Sequence, residues 1–255
     1  MGFEVMLGGV GDAFSLKHLG THLLIRKNGF LLAVDCPDGF RHGLAKHSFG
    51  DDNSRPLDVG DIDALYLTHL HGDHVNGLEM TLAYRTMVLQ KEPLRIYGIS
   101  EVLEELWHRR LQVSLGQMFD GQSFQSIEVE RYVEFCPLPM GSVNSIGPFE
   151  VELRRTKHHI PTTAMRISDG TATLGYSCDT AFDPELVEWL EKDSALILHE
   201  STFGKAHTPL QALQGLDKSV RDRIVVVHYS DSMIDMDHGD LRFGNEGEVF
   251  SLGDA

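Results

Sequence analysis

One short segment constrains this chain more than any other. Residues 67–74 read L-T-H-L-H-G-D-H, which places three imidazoles and a carboxylate close together, directly after a strand-like apolar run. Side chains alternate along an extended backbone, so His69 and His71 are expected on one side of the chain. A glycine turn would then bring Asp73 and His74 into the same space. Imidazoles and carboxylates grouped in this way are ligands for transition metals, and the segment predicts a metal site at the end of a strand.

The pattern H-x-H-x-D-H after a strand resembles the metallo-β-lactamase superfamily, whose members carry further ligands downstream. This sequence offers them in order as His158, Asp179 and His228, so the resemblance runs across nearly the whole chain. It implies an α/β (α+β) fold of the αββα type, in which two mixed β-sheets pack face to face with helices outside. No domain-scale linker interrupts the chain, and one domain over residues 1–255 is expected.

The resemblance also implies which side chains bind metal. Two divalent ions would share seven ligands: the first ion His69, His71 and His158, the second ion Asp73, His74 and His228, and both ions the bridging Asp179. Histidine and carboxylate ligands suit zinc, the expected metal, and also manganese or iron. His159 competes with His158 for the ligand role. His158 is preferred because the ligand of the ribonuclease Z branch precedes a similar I-P segment.

Two further segments resemble motifs of ribonuclease Z-like phosphodiesterases. Residues 199–202 read H-E-S-T, close to an H-E-A-T motif, and residues 207–208 read H-T, a looser match to an H-S-T motif. In those enzymes a Glu and a His assist protonation of the leaving group. The resemblance implies this catalytic role for Glu200 and His207, while His199 is as compatible with a structural role at a strand end as with a catalytic one.

The interval between the third-motif His and the bridging Asp bears on the substrate. Ribonuclease Z carries a long arm there that grips tRNA, whereas residues 159–178 offer room only for two strands and a turn. The run at 207–213, followed by V-H-Y-S-D at 227–231, is most similar to armless cyclic nucleotide phosphodiesterases of the anti-Pycsar type, which phages use to destroy cyclic nucleotide signals. The expected reaction is hydrolysis of 3′,5′-cyclic nucleotides to nucleoside monophosphates by a hydroxide that the metal ions activate.

Composition limits the partners and the location. The formal net charge is −16 at pH 7, and the clusters of basic residues are short, such as those at 108–110 and 154–155. Proteins that track long nucleic acids usually carry a basic stripe, so a small-molecule substrate is expected. No apolar run approaches the ~20 residues that a membrane helix needs, and three scattered cysteines fit a reducing cytoplasm. The resemblance adds a homodimer, the common state of ribonuclease Z relatives.

Other functions fit parts of the same pattern. A ribonuclease Z-like RNA 3′-end endonuclease would use the same motifs but lacks its arm here. A lactonase or another metallo-hydrolase of the superfamily would use the same metal ligands. A non-catalytic metal-binding protein would have to retain a complete ligand set without turnover, and it ranks last.

Local signals place a few elements around these motifs. Asn28-Gly29 between two apolar runs predicts a hairpin. Asp183 followed by Pro184 predicts the start of a helix. Ser100 is expected to cap a helix over residues 101–113. Asp35, at the end of a strand, is expected to support the histidine cluster.

Overall fold

The strands of the protein were located in a computed structural model that describes residues 2–50 and 55–253. They are, in chain order, β1 (Phe3–Gly9), β2 (His22–Lys27), β3 (Phe30–Val34), β4 (Ala64–Tyr66), β5 (Leu94–Gly98), β6 (Gln117–Phe119), β7 (Phe124–Ser126), β8 (Val133–Pro137), β9 (Asn144–Ile146), β10 (Phe149–Arg155), β11 (Thr163–Ser168), β12 (Thr173–Tyr176), β13 (Ser194–Glu200), β14 (Ile224–Val227), β15 (Arg242–Phe243) and β16 (Val249–Leu252).

The helices are short and lie between the strands. They are α1 (Phe40–Lys46), α2 (Gly72–Val75), α3 (Leu78–Ala83), α4 (Ser100–Leu106), α5 (Gln112–Leu115), α6 (Pro184–Glu191), α7 (Leu210–Gln214) and α8 (Lys218–Arg221). A π-helical turn at Tyr84–Val88 extends α3, and another at Trp107–Leu111 joins α4 to α5. In the part of the chain that the structure describes, no helix is both long and apolar enough to cross a bilayer.

Two large mixed sheets form the centre of the fold, as the family resemblance implies. The first has the strand order β16-β1-β2-β3-β4-β5-β8, and the second β15-β14-β13-β12-β11-β10-β9. Each sheet is antiparallel in one half and parallel in the other. The fold class predicted from the sequence is confirmed.

The two sheets contact each other through buried side chains. The ring of Phe3 on β1 lies edge-on to Phe149 on β10, with centroids 5.6 Å apart. The hydroxyl groups of Tyr66 on β4 and Thr163 on β11 hydrogen-bond at 2.7 Å. The buried apolar side chains of both sheets belong to one cluster, in which each large side chain contributes about 1.5–3 kcal/mol by leaving water. A shared core fits the expected single domain over residues 1–255, which stays a prediction.

The local signals were mostly right. Asn28 and Gly29 adopt positive φ angles of 51° and 81° between β2 and β3, as a two-residue hairpin turn requires. The Asp183 side chain accepts a hydrogen bond from the Glu185 N–H at the start of α6. The prediction for Ser100 was wrong, because it is the first residue of α4 and buried Ile99 takes the cap position without a side-chain bond.

The parallel halves bring several strand ends to one edge. Strands β3 and β4 run parallel, as do β12, β13 and β14, so their carboxyl ends point the same way within each sheet. Strand β10 runs parallel to β12 because both are antiparallel to β11. Every segment that the sequence marked for metal binding or catalysis follows or ends one of these strands.

Buried His22 should make the fold sensitive to acid. Burial lowers the pKa of its imidazole to about 4, although the Gly20 carbonyl, 2.9 Å from Nδ1, opposes the shift. The His22 imidazole therefore takes up a proton near pH 6.5 in the unfolded chain, but only near pH 4 in the folded chain. Stability is retained above pH 6.5 and is lost as the pH falls from 6.5 towards 4, by up to about 3 kcal/mol from this group.

We expect His22→Asn to reduce this acid-dependent loss of stability. Urea unfolding of the metal-free protein at pH 7 and pH 4.5 measures it, with exposed His42→Asn as the matched control. An equal loss of unfolding free energy between the two pH values in wild type and His22→Asn would contradict the prediction.

Candidate metal centre

The H-x-H-x-D-H segment changes from extended chain to helix within a few residues. Strand β4 ends at Tyr66, and His71 is the last extended residue, with φ −66° and ψ 151°, before α2 begins at Gly72. Gly72 does not adopt the positive φ that a glycine turn would use. A Cβ at this position would lie 2.9 Å from Nδ2 of the Asn76 side chain, which would have to shift to make room for it.

Three imidazoles converge at the end of β4. The Nδ1 atom of His71 lies 3.1 Å from Nε2 of His69 and 3.0 Å from Nε2 of His158. These three rings and Asp179 form a group whose potential ligand atoms all lie within 4.8 Å of one another. His159 is outside this group and exposed, and it lines the adjoining cavity.

A second group lies beside the first. It consists of Asp73, His74, Asp179 and His228, again with potential ligand atoms within 4.8 Å. The Nε2 atom of His74 is 3.4 Å from Oδ1 of Asp179, and Nε2 of His228 is 3.4 Å from Oδ2 of the same carboxylate. Asp179 therefore belongs to both groups, in the place that the resemblance gives to a bridging ligand.

Outer hydrogen bonds orient three imidazoles of the cluster. Nδ1 of His74 lies 2.8 Å from the Asp35 carboxylate, Nδ1 of His158 lies 3.1 Å from the Ala206 carbonyl, and Nδ1 of His69 lies 3.0 Å from the Thr68 hydroxyl. Each Nδ1–H donates outward, so each Nε2 faces the cluster, where a bound metal ion would take the place of a proton. The expectation for Asp35 agrees with this contact.

The unsatisfied atoms of the cluster fit a cation. Within residues 2–50 and 55–253, Nε2 of His74 and Oδ1 of Asp179 are buried and have no hydrogen-bond partner. A buried polar atom without a partner costs free energy, and a divalent ion would satisfy both atoms. Cys178 also lies close to His69 and His74, but burial raises the pKa of its thiol well above the ordinary value. The imidazoles and carboxylates are therefore the donors that suit a metal.

Three residues at the edge of the site have strained backbone conformations. Asp35, Cys178 and His228 adopt positive φ angles of 66°, 49° and 51°, which side-chain-bearing residues rarely use. Each follows the end of β3, β12 or β14. Such conformations cost about 1–3 kcal/mol each and persist where the surrounding structure enforces them. Here they turn the chain sharply at the edge where the ligand groups meet.

The charges of the cluster are strongly coupled. Burial alone would raise the pKa of Asp179, but His228 and His74 hold it well below its usual range. Burial likewise disfavours protonation of His74, yet the carboxylates of Asp179 and Asp35 raise its pKa well above the usual value. The carboxylates and the His74 imidazole therefore stabilise each other's charged forms where the ring nitrogens converge.

Glu200 and His207 form a pair next to the cluster. Glu200 ends β13 and is fully buried, and its Oε1 accepts the Thr180 N–H at 2.8 Å and lies 3.0 Å from Nδ1 of His207. Burial raises the pKa of Glu200 well above its usual value, and the nearby Asp179 adds to the shift. His207 packs against the rings of His158 and His228 and lines the cavity.

His199 lies apart from this pair. Its ring is buried, and Nδ1 lies 2.8 Å from the backbone carbonyl of Glu200. It is absent from the cavity lining. This position favours the structural alternative of the two that the sequence left open.

A cavity of about 600 Å³ opens onto the cluster, a size typical of small-molecule sites. Its wall includes residues that sequence reasoning did not select, among them Asp12, Phe14, Phe203 and Ser230. The glycine-rich turn that ends in Asp12 was the available signal, because such turns let the backbone approach a ligand closely. No comparable signal marked either phenylalanine.

The fold and the cluster together define the class of the protein. Strand ends from two mixed sheets that present a shared His and Asp cluster make it a metallo-β-lactamase fold protein with a candidate divalent metal centre. Residues 3–250 match the model of the family described as Anti-Pycsar protein Apyc1. The chain belongs to this family, and the resemblance found in the sequence is confirmed.

Relatives of the chain agree with this assignment. The chain is 31% identical over 262 aligned residues to the Anti-Pycsar protein Apyc1 of Paenibacillus sp. (strain J14). The alignment covers 99% of this chain and 100% of the relative. The metallo-β-lactamase fold protein YhfI from Bacillus subtilis matches with a TM-score of 0.71 at 18% identity, covering 98% and 99%. Zn²⁺-bound PqqB from Methylobacterium extorquens matches with a TM-score of 0.74 at 13% identity, covering 98% and 100%.

Proposed function

We propose that this protein is a metal-dependent phosphodiesterase that hydrolyses 3′,5′-cyclic nucleotides to nucleoside monophosphates. The observation that carries the proposal is the pair of ligand groups that share Asp179, with the Glu200–His207 pair beside them. Membership of a family whose members degrade cyclic nucleotides supports the substrate class. Family and fold together support a metal-dependent hydrolase.

The ligand assignment is part of this proposal. His69, His71 and His158 would hold one divalent ion, and Asp73, His74 and His228 the other, with Asp179 between them. Zinc suits these donors, and it is the ion bound by the structurally similar PqqB. When bound, two such ions lower the pKa of water to ~7, neutralise phosphate oxygens and position an in-line attack.

The remaining chemistry belongs to side chains of this protein. Hydrolysis of a 3′,5′-cyclic phosphate releases the ribose 3′ oxygen, which needs a proton. His207 has its Nδ1 held by Glu200, so its remaining nitrogen, Nε2, is the atom that would donate this proton. Glu200 fixes the ring orientation and stabilises the protonated imidazole. Asp35 keeps His74 in the tautomer that leaves Nε2 free for metal.

The described structure supports a small substrate over a tRNA precursor. Strands β11 and β12, joined by the turn at Asp169-Gly170, account for the interval between His158 and Asp179 where an RNA-binding arm would be inserted. The cavity size and the net charge of −16 agree with a compact substrate bound at the metals. The proposal includes a cytoplasmic homodimer, whose mass can be measured by light scattering.

A hydrolysis screen tests the reaction class. The metal-loaded protein is incubated with 3′,5′-cyclic purine and pyrimidine nucleotides, 2′,3′-cyclic nucleotides, a precursor tRNA and a lactone. We expect mononucleotide release from the 3′,5′-cyclic substrates. Cleavage of the precursor tRNA alone would favour the endonuclease alternative, and cleavage of the lactone alone would favour the lactonase. If none of the substrates is hydrolysed, the protein is better described as a metal-binding protein without turnover.

Removal of the metal should destabilise the protein as well as inactivate it. Among the residues that the structure describes, Nε2 of His74 and Oδ1 of Asp179 are buried without a hydrogen-bond partner, and an ion would satisfy both. Metal that binds only the folded state adds about 4 kcal/mol when the free ion stands at 1,000 times its Kd. We expect chelation to lower the melting temperature and two equivalents of zinc to restore it, measured by calorimetry and elemental analysis. An unchanged melting temperature with no metal retained would contradict the proposed centre.

A further inference from the structure

Two exposed phenylalanines stand at the mouth of the cavity. Phe14, between β1 and β2, is 89% exposed, and Phe203, after β13, is 60% exposed. Both line the same cavity as Asp179 and His228, which are almost fully buried. The contrast in exposure places the metal-ligand candidates at the floor and the phenylalanines at the rim. Large apolar side chains left in water beside a cavity mark a binding surface.

One buried carboxylate connects the two loops that carry these rings. Oδ1 of Asp12 accepts the Phe14 N–H at 3.0 Å, and Oδ2 accepts the Thr202 hydroxyl at 2.7 Å. Thr202 immediately precedes Phe203, and the Asp12 side chain is buried. The relative position of the two phenylalanines is therefore set by Asp12 and not by packing of the rings against the core.

The Phe14 loop is held on its other side by Asp231. This carboxylate accepts the N–H groups of Leu16 at 2.9 Å and Lys17 at 3.3 Å, and also the Ser15 hydroxyl. The donated hydrogen bonds, that of Ser15 first, lower the pKa of Asp231. Because the backbone of this loop is anchored at both sides, binding pays less entropy to order the loop that carries the ring.

We propose that Phe14 and Phe203 form an aromatic clamp that holds the nucleobase of the substrate while its phosphate lies at the His and Asp floor. This inference rests on the proposed function and adds to it the residues that recognise the base. Every nucleobase has a flat π-face that stacks on an aromatic side chain. A ligand with a planar heteroaromatic group and a phosphodiester matches both ends of the cavity.

Alanine variants of the clamp test the proposal in the metal-loaded protein. We expect Phe14→Ala and Phe203→Ala each to raise KM for a 3′,5′-cyclic purine nucleotide by about 5- to 100-fold, with kcat nearly unchanged. Phe14→Trp should keep the low KM. Leu16→Ala is the matched control, because Leu16 is 95% exposed on the same loop and does not line the cavity. Phe124→Ala, 75% exposed on β7, controls for loss of an exposed phenylalanine elsewhere.

Binding of two monophosphates separates the clamp from the reaction. AMP and ribose 5-phosphate share the phosphoryl group and differ in the base. We expect Phe14→Ala to weaken binding of AMP by the same factor as its effect on KM, and to leave ribose 5-phosphate unchanged, by calorimetric titration. The titration needs no turnover. Wild type that binds AMP through the clamp but hydrolyses no cyclic nucleotide would therefore overturn the proposed function and leave the clamp standing.

Asp12 is a positioning residue in this arrangement. Asp12→Ala releases both loops, so it should raise KM at least as much as Phe14→Ala, and the Asp12→Ala/Phe14→Ala double variant should be little worse than Asp12→Ala alone. Asp12→Asn should restore a low KM, since its amide can accept from the Phe14 N–H and donate to the Thr202 hydroxyl. Unchanged KM and unchanged AMP binding in both phenylalanine variants overturn the clamp. A shift in oligomeric state without any change in KM also overturns it.

Discussion

Asp73→Ala will abolish turnover while the fold persists. Asp73 supplies one of the carboxylate oxygens of the second ligand group, 3.4 Å from Nε2 of His74 and 3.9 Å from Nε2 of His228. Without it, two imidazoles and the shared Asp179 remain for the second ion. Because metal binding lowers the pKa of water from 15.7 to ~7 and aligns the attack, we expect kcat/KM to fall by about 10⁴-fold or more.

Two measurements and one control variant separate this loss from simple unfolding. Elemental analysis should find two ions per chain in wild type and one in Asp73→Ala. The circular dichroism spectrum should be unchanged, because the Asp73 side chain contacts the cluster and not the apolar core. Asp235→Ala, which removes an exposed carboxylate outside both ligand groups, should behave as wild type. Full activity of Asp73→Ala with verified metal content would contradict the dinuclear mechanism.

Much of the site could be anticipated because its signals are local in the sequence. Four of the candidate ligands lie within six residues that follow a strand: His69, His71, Asp73 and His74. That spacing alone predicts that their side chains converge. The other candidate ligands each stand just beyond a strand-like run. Parallel strands bring their carboxyl ends to one edge, so a strand prediction carries these side chains towards a common place. The fold class is confirmed, and the metal-binding roles of the individual side chains stay predictions.

The rest depends on contacts between segments that are distant in the sequence. Phe14 and Phe203 read as ordinary apolar residues, and only the bonds from Asp12 to the Phe14 backbone and the Thr202 hydroxyl show that they belong together. The prediction that Ser100 caps α4 was wrong for a related reason. Ser100 has the better capping side chain, but buried Ile99 fixes where the helix begins, and tertiary packing prevails over a local preference of about 1 kcal/mol.

The basicity of the leaving group should determine how strongly the loss of His207 lowers the rate of hydrolysis. For a 3′,5′-cyclic nucleotide the departing alkoxide is strongly basic, and a positioned acid is worth about 10²–10⁴-fold. A p-nitrophenyl phosphodiester releases a phenolate that needs no proton. We therefore expect His207→Asn to lower kcat by 10²–10⁴-fold on the cyclic nucleotide and by less than about tenfold on the p-nitrophenyl ester, measured under saturating substrate with metal content verified.

Glu200→Gln should show the same dependence on the leaving group, because its Oε1 holds Nδ1 of His207 at 3.0 Å. The double variant should be little worse than His207→Asn alone, since both changes disable one proton donor. His159→Asn is the matched control, for it removes another cavity-lining imidazole that lies outside both ligand groups. Equal losses on the two substrates would contradict proton donation and would instead mean that His207 supports the metal ligands His158 and His228, against which its ring packs.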